Sequence, residues 1–251
     1  MKLISQLNLK IGIFGLGSTG KSVCQALQGI AGLIVAWDDS EKNRIDFSDQ
    51  FNMNSLVDIN DDVWTILDKI IISPGVPPTH PIFLLAKNHN IIISSDIQLF
   101  IDENKQSKII VVTGTNGKST TTSLIGHILK ENNYDYHIGG NVGIPVLKLP
   151  FNAKGYILEL SSFQLDLLQD FNPDIIVLLN ITPDHLDRYG NFESYCASKF
   201  RAFNGDGIKI IGIDGSILRD FYFNLRAKFG HKVISISTQS SRYGIVCTPF
   251  I

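Results

Sequence analysis

Short apolar runs recur along this chain, and two of them end in a glycine-rich turn that opens a helix. The runs are Lys10–Phe14, Leu33–Trp37, Lys69–Ser73, Ile91–Ser94, Ile109–Thr113, Tyr156–Leu160, Ile175–Leu179, Ile208–Ile213 and Val233–Ser237. Most are unbroken stretches of Ile, Val and Leu, as strands covered on both faces should be. Segments with helical spacing lie between several of them, such as Gly20–Ile30 and Ser119–Glu131. Strand and helix in alternation predict an α/β fold with mainly parallel sheets.

Size sets how many such units there can be. At about 150 residues per domain, 251 residues make one large or two modest domains. Hydrophobic residues are 44% and charged residues 18%, which excludes a mostly disordered chain. The net charge is 22 − 24 = −2, so no broad basic surface is implied and no nucleic-acid partner is expected. Cys24, Cys196 and Cys247 are too few and too scattered for a disulfide framework or a cysteine zinc site. No apolar run reaches the roughly 18 residues of a membrane span, and Met1–Leu7 lacks a signal core. A cytoplasmic protein with no membrane partner is the expectation.

The polar stretch Asp102–Ser107 reads as a linker. It sets residues 1–104 apart as a Rossmann-like N-terminal domain and residues 105–251 as a P-loop-type mononucleotide-binding central domain. The tail Tyr243–Ile251 has little charge and no helical pattern, and reads as an interrupted fold.

The first turn, Gly15-Leu16-Gly17-Ser18-Thr19-Gly20, joins a strand to a helix, where glycines let a phosphate approach and the helix start offers free N–H groups. Asp38 and Asp39 end the second strand, where a Rossmann protein places its ribose-binding acid. A diphosphate-linked nucleotide is the functional reading and a plain βα turn the bland one. Ser73-Pro74-Gly75 ends another buried strand, where ligands gather, and is otherwise an ordinary turn.

The second turn is more specific. In Gly114-Thr115-Asn116-Gly117-Lys118-Ser119-Thr120, backbone N–H groups can cradle phosphates, Lys118 can neutralise them and the Ser119 hydroxyl can ligate Mg²⁺. It is shorter than a Walker A loop, with Val112 where that pattern wants glycine. Glu159, ending the next strand-like run, is placed for the same cation. Asn180, Asp184, His185 and Asp187 fall on one sheet rim, where His185 could meet a cation or a phosphate. Lys199 shares a helical stripe with Phe192, Tyr195, Cys196 and Phe203. Such a lysine either snorkels its ammonium to water or loses charge by burial. A neutral amine there could take up CO₂ as a carbamate.

These motifs carry a resemblance. Gly114–Thr120, Gly139–Pro145, Leu158–Leu165 and Asn180–Arg188 resemble, in that order, four blocks of the Mur ligase family, and Ser73-Pro74-Gly75 with the first loop resembles its UDP-binding domain. The Ser161-Ser162-Phe163-Gln164 wording is similar to the member that adds D-glutamate. The resemblance implies ATP-dependent joining of D-glutamate to UDP-N-acetylmuramoyl-L-alanine through an acyl phosphate, a cytoplasmic step of peptidoglycan synthesis, by a monomer. It implies that Gly114, Thr115, Asn116, Gly117, Lys118, Ser119 and Thr120 bind ATP. Ser119 and Glu159 would hold one Mg²⁺, and His185 and carbamylated Lys199 a second, with Mn²⁺ also tolerated. Lys118, Glu159, His185 and Lys199 form the implied catalytic set. Ser18, Thr19, Asp38, Asp39, Ser73, Gly75, Asn141, Ser161, Gln164 and His185 are the implied substrate contacts. Two departures stand out. Asp39-Ser40 differs from the Asp-Thr-Arg common at the uracil end, and the family's third, amino-acid-binding domain is not expected in this chain. An NAD-dependent oxidoreductase, a noncatalytic nucleotide-binding module and a folylpolyglutamate synthase relative are the alternatives.

Overall fold

The structure, a computed structural model, describes residues 3–51, 53–239 and 245–246. Cys247 and most of the Tyr243–Ile251 tail lie outside the described residues, as do Met1 and Lys2. The chain forms two compact units.

The first unit comprises residues 1–105 together with 144–151 and 167–169. Its four strands are β1 (Lys10–Phe14), β2 (Leu33–Trp37), β3 (Lys69–Ile72) and β4 (Ile92–Ser94), all parallel in the order β2-β1-β3-β4. Helices α1 (Ser18–Leu27), α2 (Glu41–Ser48), α3 (Pro81–Asn88) and α4 (Asp96–Glu103) supply the crossovers. Local chemistry starts three of them. Ser40, His80 and Ser95 each accept a backbone N–H near the start of α2, α3 and α4, and Pro81 fills the first position of α3. The core packs Phe14, Val35, Trp64, Leu67, Ile70 and Ile72 together. Gly12 is required on β1 because a Cβ there would strike Trp64 and Leu67.

The expected linker is partly helix. Asp102 and Glu103 complete α4, whose Ile97, Leu99 and Phe100 are fully buried. Asn104 then closes the helix end, its Nδ2 donating to the Phe100 carbonyl at 2.8 Å. A run of polar residues that begins inside the last turn of an amphipathic helix hid that helix's apolar face from a reading by composition.

The second unit takes residues 106–143, 152–166 and 170–251. Its strands are β5 (Lys108–Thr113), β6 (Tyr136–Gly140), β7 (Gly155–Glu159), β8 (Ile175–Leu178), β9 (Ile208–Gly212), β10 (Val233–Ser237) and β11 (Ile245–Val246). They form one parallel sheet in the order β11-β10-β9-β8-β5-β7-β6. Its helices are α5 (Lys118–Glu131), α6 (Ser162–Asp166), α7 (Leu186–Tyr189), α8 (Phe192–Phe200) and α9 (Ser216–Phe229). Ile110, Val112, Ile157 and Val177 make a continuous core across β5, β7 and β8. The strand β5 therefore has later strands on both sides, and open parallel sheets bind ligands at the carboxyl ends of strands around such a point.

Candidate functional site

The second glycine loop sits at that carboxyl end. β5 delivers Gly114, and Gly117 caps α5 in a left-handed conformation (φ 80°, ψ 0°) that favours glycine. No side chain caps α5, so its first N–H groups point at the loop mouth. Neutral groups from the β8–α7 connection clamp the loop. Asn180 Oδ1 accepts the Asn116 N–H at 2.9 Å, while Asn180 Nδ2 donates to the Asn116 carbonyl at 3.0 Å. Thr115 Oγ1 accepts from the Thr182 N–H at 3.0 Å. Lys118 Nζ donates to the Thr115 carbonyl at 2.8 Å and stays partly exposed beside Ser119 and Thr120, which are exposed.

Glu159 faces β5 across the ladder, paired with Val112. Its carboxylate is 1% exposed. Oε1 accepts from Asn141 Nδ2 at 3.1 Å, and Oε2 is buried without a hydrogen-bond partner. A buried carboxylate oxygen left unpaired is costly, and a cation is the natural way to satisfy it. The site therefore fits a divalent metal. Among the described residues, no cluster of three or more His, Cys, Asp and Glu forms a cage.

Lys199 does not snorkel. It is 2% exposed, and its Nζ donates to the Gly114 carbonyl at 3.2 Å and to Thr113 Oγ1 at 3.5 Å. Burial lowers its pKa to about 8, and the nearby Lys118 charge pushes the same way. The neutral amine, the form that adds to CO₂, is thereby far more populated than in a solvated lysine, at about a tenth of the whole at pH 7. His185 is half-exposed and starts α7 with a positive φ of 51°. Its Nε2 lies 3.5 Å from Asp184 Oδ2 and its ring 4.7 Å from that of Phe163. Asp187 sits exposed in the first turn of α7. Ser161 and Gln164 lock each other at the start of α6: Gln164 Oε1 accepts from the Ser161 N–H and hydroxyl, and Ser161 Oγ accepts from the Gln164 N–H. The Gln164 amide nitrogen is the end these bonds leave for a ligand.

The first loop is built differently. Gly15 (φ 93°) turns tightly against Ser73, whose hydroxyl donates to the Gly15 carbonyl at 2.8 Å. Gly20 packs so closely on the Gly15 carbonyl that a Cβ would collide with it. Asp38 is buried and used internally. It accepts from the Leu16 N–H at 2.6 Å, the Ser40 N–H at 2.8 Å and Asn43 Nδ2 at 3.0 Å. Its carboxylate thus fixes the loop and the β2–α2 turn. Asp39 is exposed, with Oδ2 3.0 Å from His80 Nε2. Ser18, Gly17 and Gly75 are exposed and Thr19 partly so. The sequence reading had missed Arg44, which stacks on Trp37 at 4.4 Å and donates to the Asp38 carbonyl at 2.6 Å. It also missed the tie of Tyr195 to the second loop, whose members stand 80 residues apart.

Comparison with known proteins decides the family. The family model described as Mur ligase middle domain matches residues 112–246, a little over half of the chain. The chain belongs to the Mur ligase family. It is 50% identical over 230 residues to the UDP-N-acetylmuramoylalanine--D-glutamate ligase of Rickettsia bellii, covering 90% of this chain and 51% of that one. It is 43% identical over 249 residues to the protein of that name from Wolbachia pipientis wMel, covering 98% and 48%. The chain thus spans about half the length of these Mur ligase relatives. Two solved Mur ligases share the fold. The UDP-N-acetylmuramate-alanine ligase of Thermotoga maritima has a TM-score of 0.54 at 21% identity, covering 92% of this chain and 53% of that one. The UDP-N-acetylmuramate:L-alanyl-gamma-D-glutamyl-meso-diaminopimelate ligase of Neisseria meningitides has a TM-score of 0.54 at 14% identity, covering 91% and 78%. No helix among the described residues is long and apolar enough to cross a membrane.

Proposed function

We propose that this chain provides the nucleotide and sugar-substrate sites of a cytoplasmic, monomeric ligase that joins D-glutamate to UDP-N-acetylmuramoyl-L-alanine at the expense of ATP. The observation that carries the reading is the Gly114–Ser119 loop lying one strand away from a buried carboxylate, Glu159, with an unpaired oxygen. The names of relatives as similar as 50% point to the same reaction.

The chemistry divides into two displacements. An oxygen of the substrate carboxylate takes the terminal phosphoryl group of ATP, giving an acyl phosphate and ADP. The amine of D-glutamate then attacks the acyl carbon, forming the amide and releasing phosphate. Phosphoryl transfer asks mainly for positioning and charge neutralisation. Gly114–Thr120 would cradle the phosphates, and Lys118 would neutralise charge on the transferred group. Ser119 and Glu159 would hold one Mg²⁺, and His185 with carbamylated Lys199 a second. Mg²⁺, when bound, offsets phosphate charge. Asn141 orients Glu159 and, with Ser161, Gln164 and His185, would face the sugar substrate. Ser18, Thr19, Asp39, Ser73 and Gly75 would line the UDP end. Asp38 would shape that end from beneath.

Calorimetric titration tests the reading. UDP-N-acetylmuramoyl-L-alanine and ATP should each saturate the chain, and NAD⁺ should not. Binding of NAD⁺ alone would falsify the ligase reading. Saturable binding with no D-glutamate-dependent phosphate release would leave a nucleotide-binding module.

A further inference from the structure

One side chain touches more of the second loop's surroundings than its place in the sequence suggests. Tyr195 is 1% exposed on α8. Its hydroxyl lies 3.1 Å from Thr115 Oγ1, inside the glycine loop. That same Thr115 hydroxyl accepts the Thr182 N–H at 3.0 Å and donates to the Thr182 carbonyl at 3.2 Å. The Tyr195 ring stands 4.9 Å from Lys199 Nζ and 6.2 Å from the His185 ring. The second-unit elements that carry Lys118, His185 and Lys199 thus meet around one phenol.

The elements it joins are not neighbours in sequence. The loop follows β5, Thr182 and His185 follow β8, and Lys199 rides on α8. Lys199 ties α8 to the loop at its base, through the Gly114 carbonyl, but leaves Thr115 further along the loop able to shift against that helix. The contact between the Thr115 and Tyr195 hydroxyls resists that shift, because the buried Tyr195 hydroxyl would lose its partner if they parted, while Thr115 would keep only its bonds to Thr182.

We propose that Tyr195 is a positioning residue that pins Thr115, and with it the phosphate-binding loop, in the conformation competent for ATP. The inference rests on the reading of Gly114–Thr120 as the ATP loop. Tyr195 touches no reacting atom; it acts by fixing the loop before the nucleotide arrives. Pre-formed loops bind more tightly because less ordering remains to be done on binding.

A double-mutant cycle on ATP affinity tests this, read by calorimetry with Mg²⁺ present on the 251-residue chain. Tyr195→Phe keeps the ring against Lys199 and removes only the hydroxyl. It should weaken ATP about 3- to 10-fold, the size of one hydrogen bond. In a Thr115→Val background the same change should cost less than about 2-fold, because the partner is already gone. An equal loss in both backgrounds, or none in either, overturns the tether while leaving the ATP loop in place. If the unsubstituted chain takes up no ATP, the loop assignment falls and the tether with it. Should Tyr195→Phe unfold the chain, Thr115→Ser against Thr115→Val reads the same hydroxyl from the loop side. Equal ATP affinity of those two variants overturns the proposal.

Discussion

The two glycine loops share a plan and differ in the charge placed beneath them. Each follows a buried parallel strand and opens a helix with a glycine cap and no capping side chain. Under the first lies an anion: Asp38 takes the Leu16 N–H into its carboxylate. Under the second, in the chain before any carbamylation, lies an ammonium: Lys199 donates to the Gly114 carbonyl. The first loop spends an N–H donor on its own support and sets a negative charge close by. The second also spends N–H groups on support, Thr115 on the Asn180 carbonyl and Asn116 on Asn180 Oδ1, but on neutral acceptors, and it adds Lys118 at the first helical position. This difference agrees with the proposed function, in which the second loop takes the more highly charged ATP phosphates and the first the diphosphate linkage of the UDP substrate. The lesson is that a phosphate loop is tuned by what buttresses it as much as by its glycines.

Removing the Lys118 cation of the second loop should have the largest effect. In a protein competent for turnover, Lys118→Ala should slow single-turnover phosphate release about 10²- to 10³-fold, while UDP-sugar binding is unchanged. Near-normal rates would remove Lys118 from its role and erase the electrostatic contrast.

The buried cation gives a pH test. Because Lys199 titrates lower in the folded chain than unfolded, the unfolded chain holds more protons between about 8 and 10.5, and stability rises with pH across that window. Below it, a charged Lys199 costs stability. Lys199→Met should therefore exceed the parent in stability near pH 7 by up to about 3 kcal/mol, with the gap closing as pH approaches 10.5. Urea unfolding at a series of pH values measures it; a gap that does not change with pH contradicts the buried charge.

Neutralising the other buttress should act in the opposite sense. Asp38→Asn leaves one amide oxygen for three donors, and should lose about 1–3 kcal/mol by urea unfolding. A stabilised Asp38→Asn would mean that the two loops are not opposites.

The smallest effects concern the caps. Gly117 has φ 80°, so Gly117→Ala should cost about 1–2 kcal/mol. Gly17 has φ −66° and open space at its Cβ position, so Gly17→Ala should cost less than about 1 kcal/mol. Equal melting shifts for the two would show that the left-handed cap is not what distinguishes the second loop.

Much of this was legible in the chain. The strands β1, β2 and β10 run over the residues their apolar runs predicted, because short runs rich in Ile, Val and Leu favour extended, half- or fully buried backbone. Strand β6 was missed. Tyr136-His137-Ile138-Gly139-Gly140 is an edge strand, only partly buried, so its composition carries little pattern. Helix α2 was missed because Glu41–Ser48 has almost no apolar periodicity and depends on its Ser40 cap. Of the candidate site, the second loop and Glu159 stood out locally. The Asn180 clamp and the Tyr195 tie did not, since their partners lie 64 and 80 residues away.

The sequence by itself determined an α/β chain with two strand–loop–helix phosphate motifs, since apolar runs, glycines and helix starts act over a few residues. Only the tertiary structure decided which charge stands under each loop. Asp38 reaches Leu16 across 22 residues and Lys199 reaches Gly114 across 85. Such distances are closed by parallel strand register and helix packing. Burial then fixed the consequences, giving Asp38 its three donors, Glu159 an unpaired oxygen and Lys199 a lowered pKa.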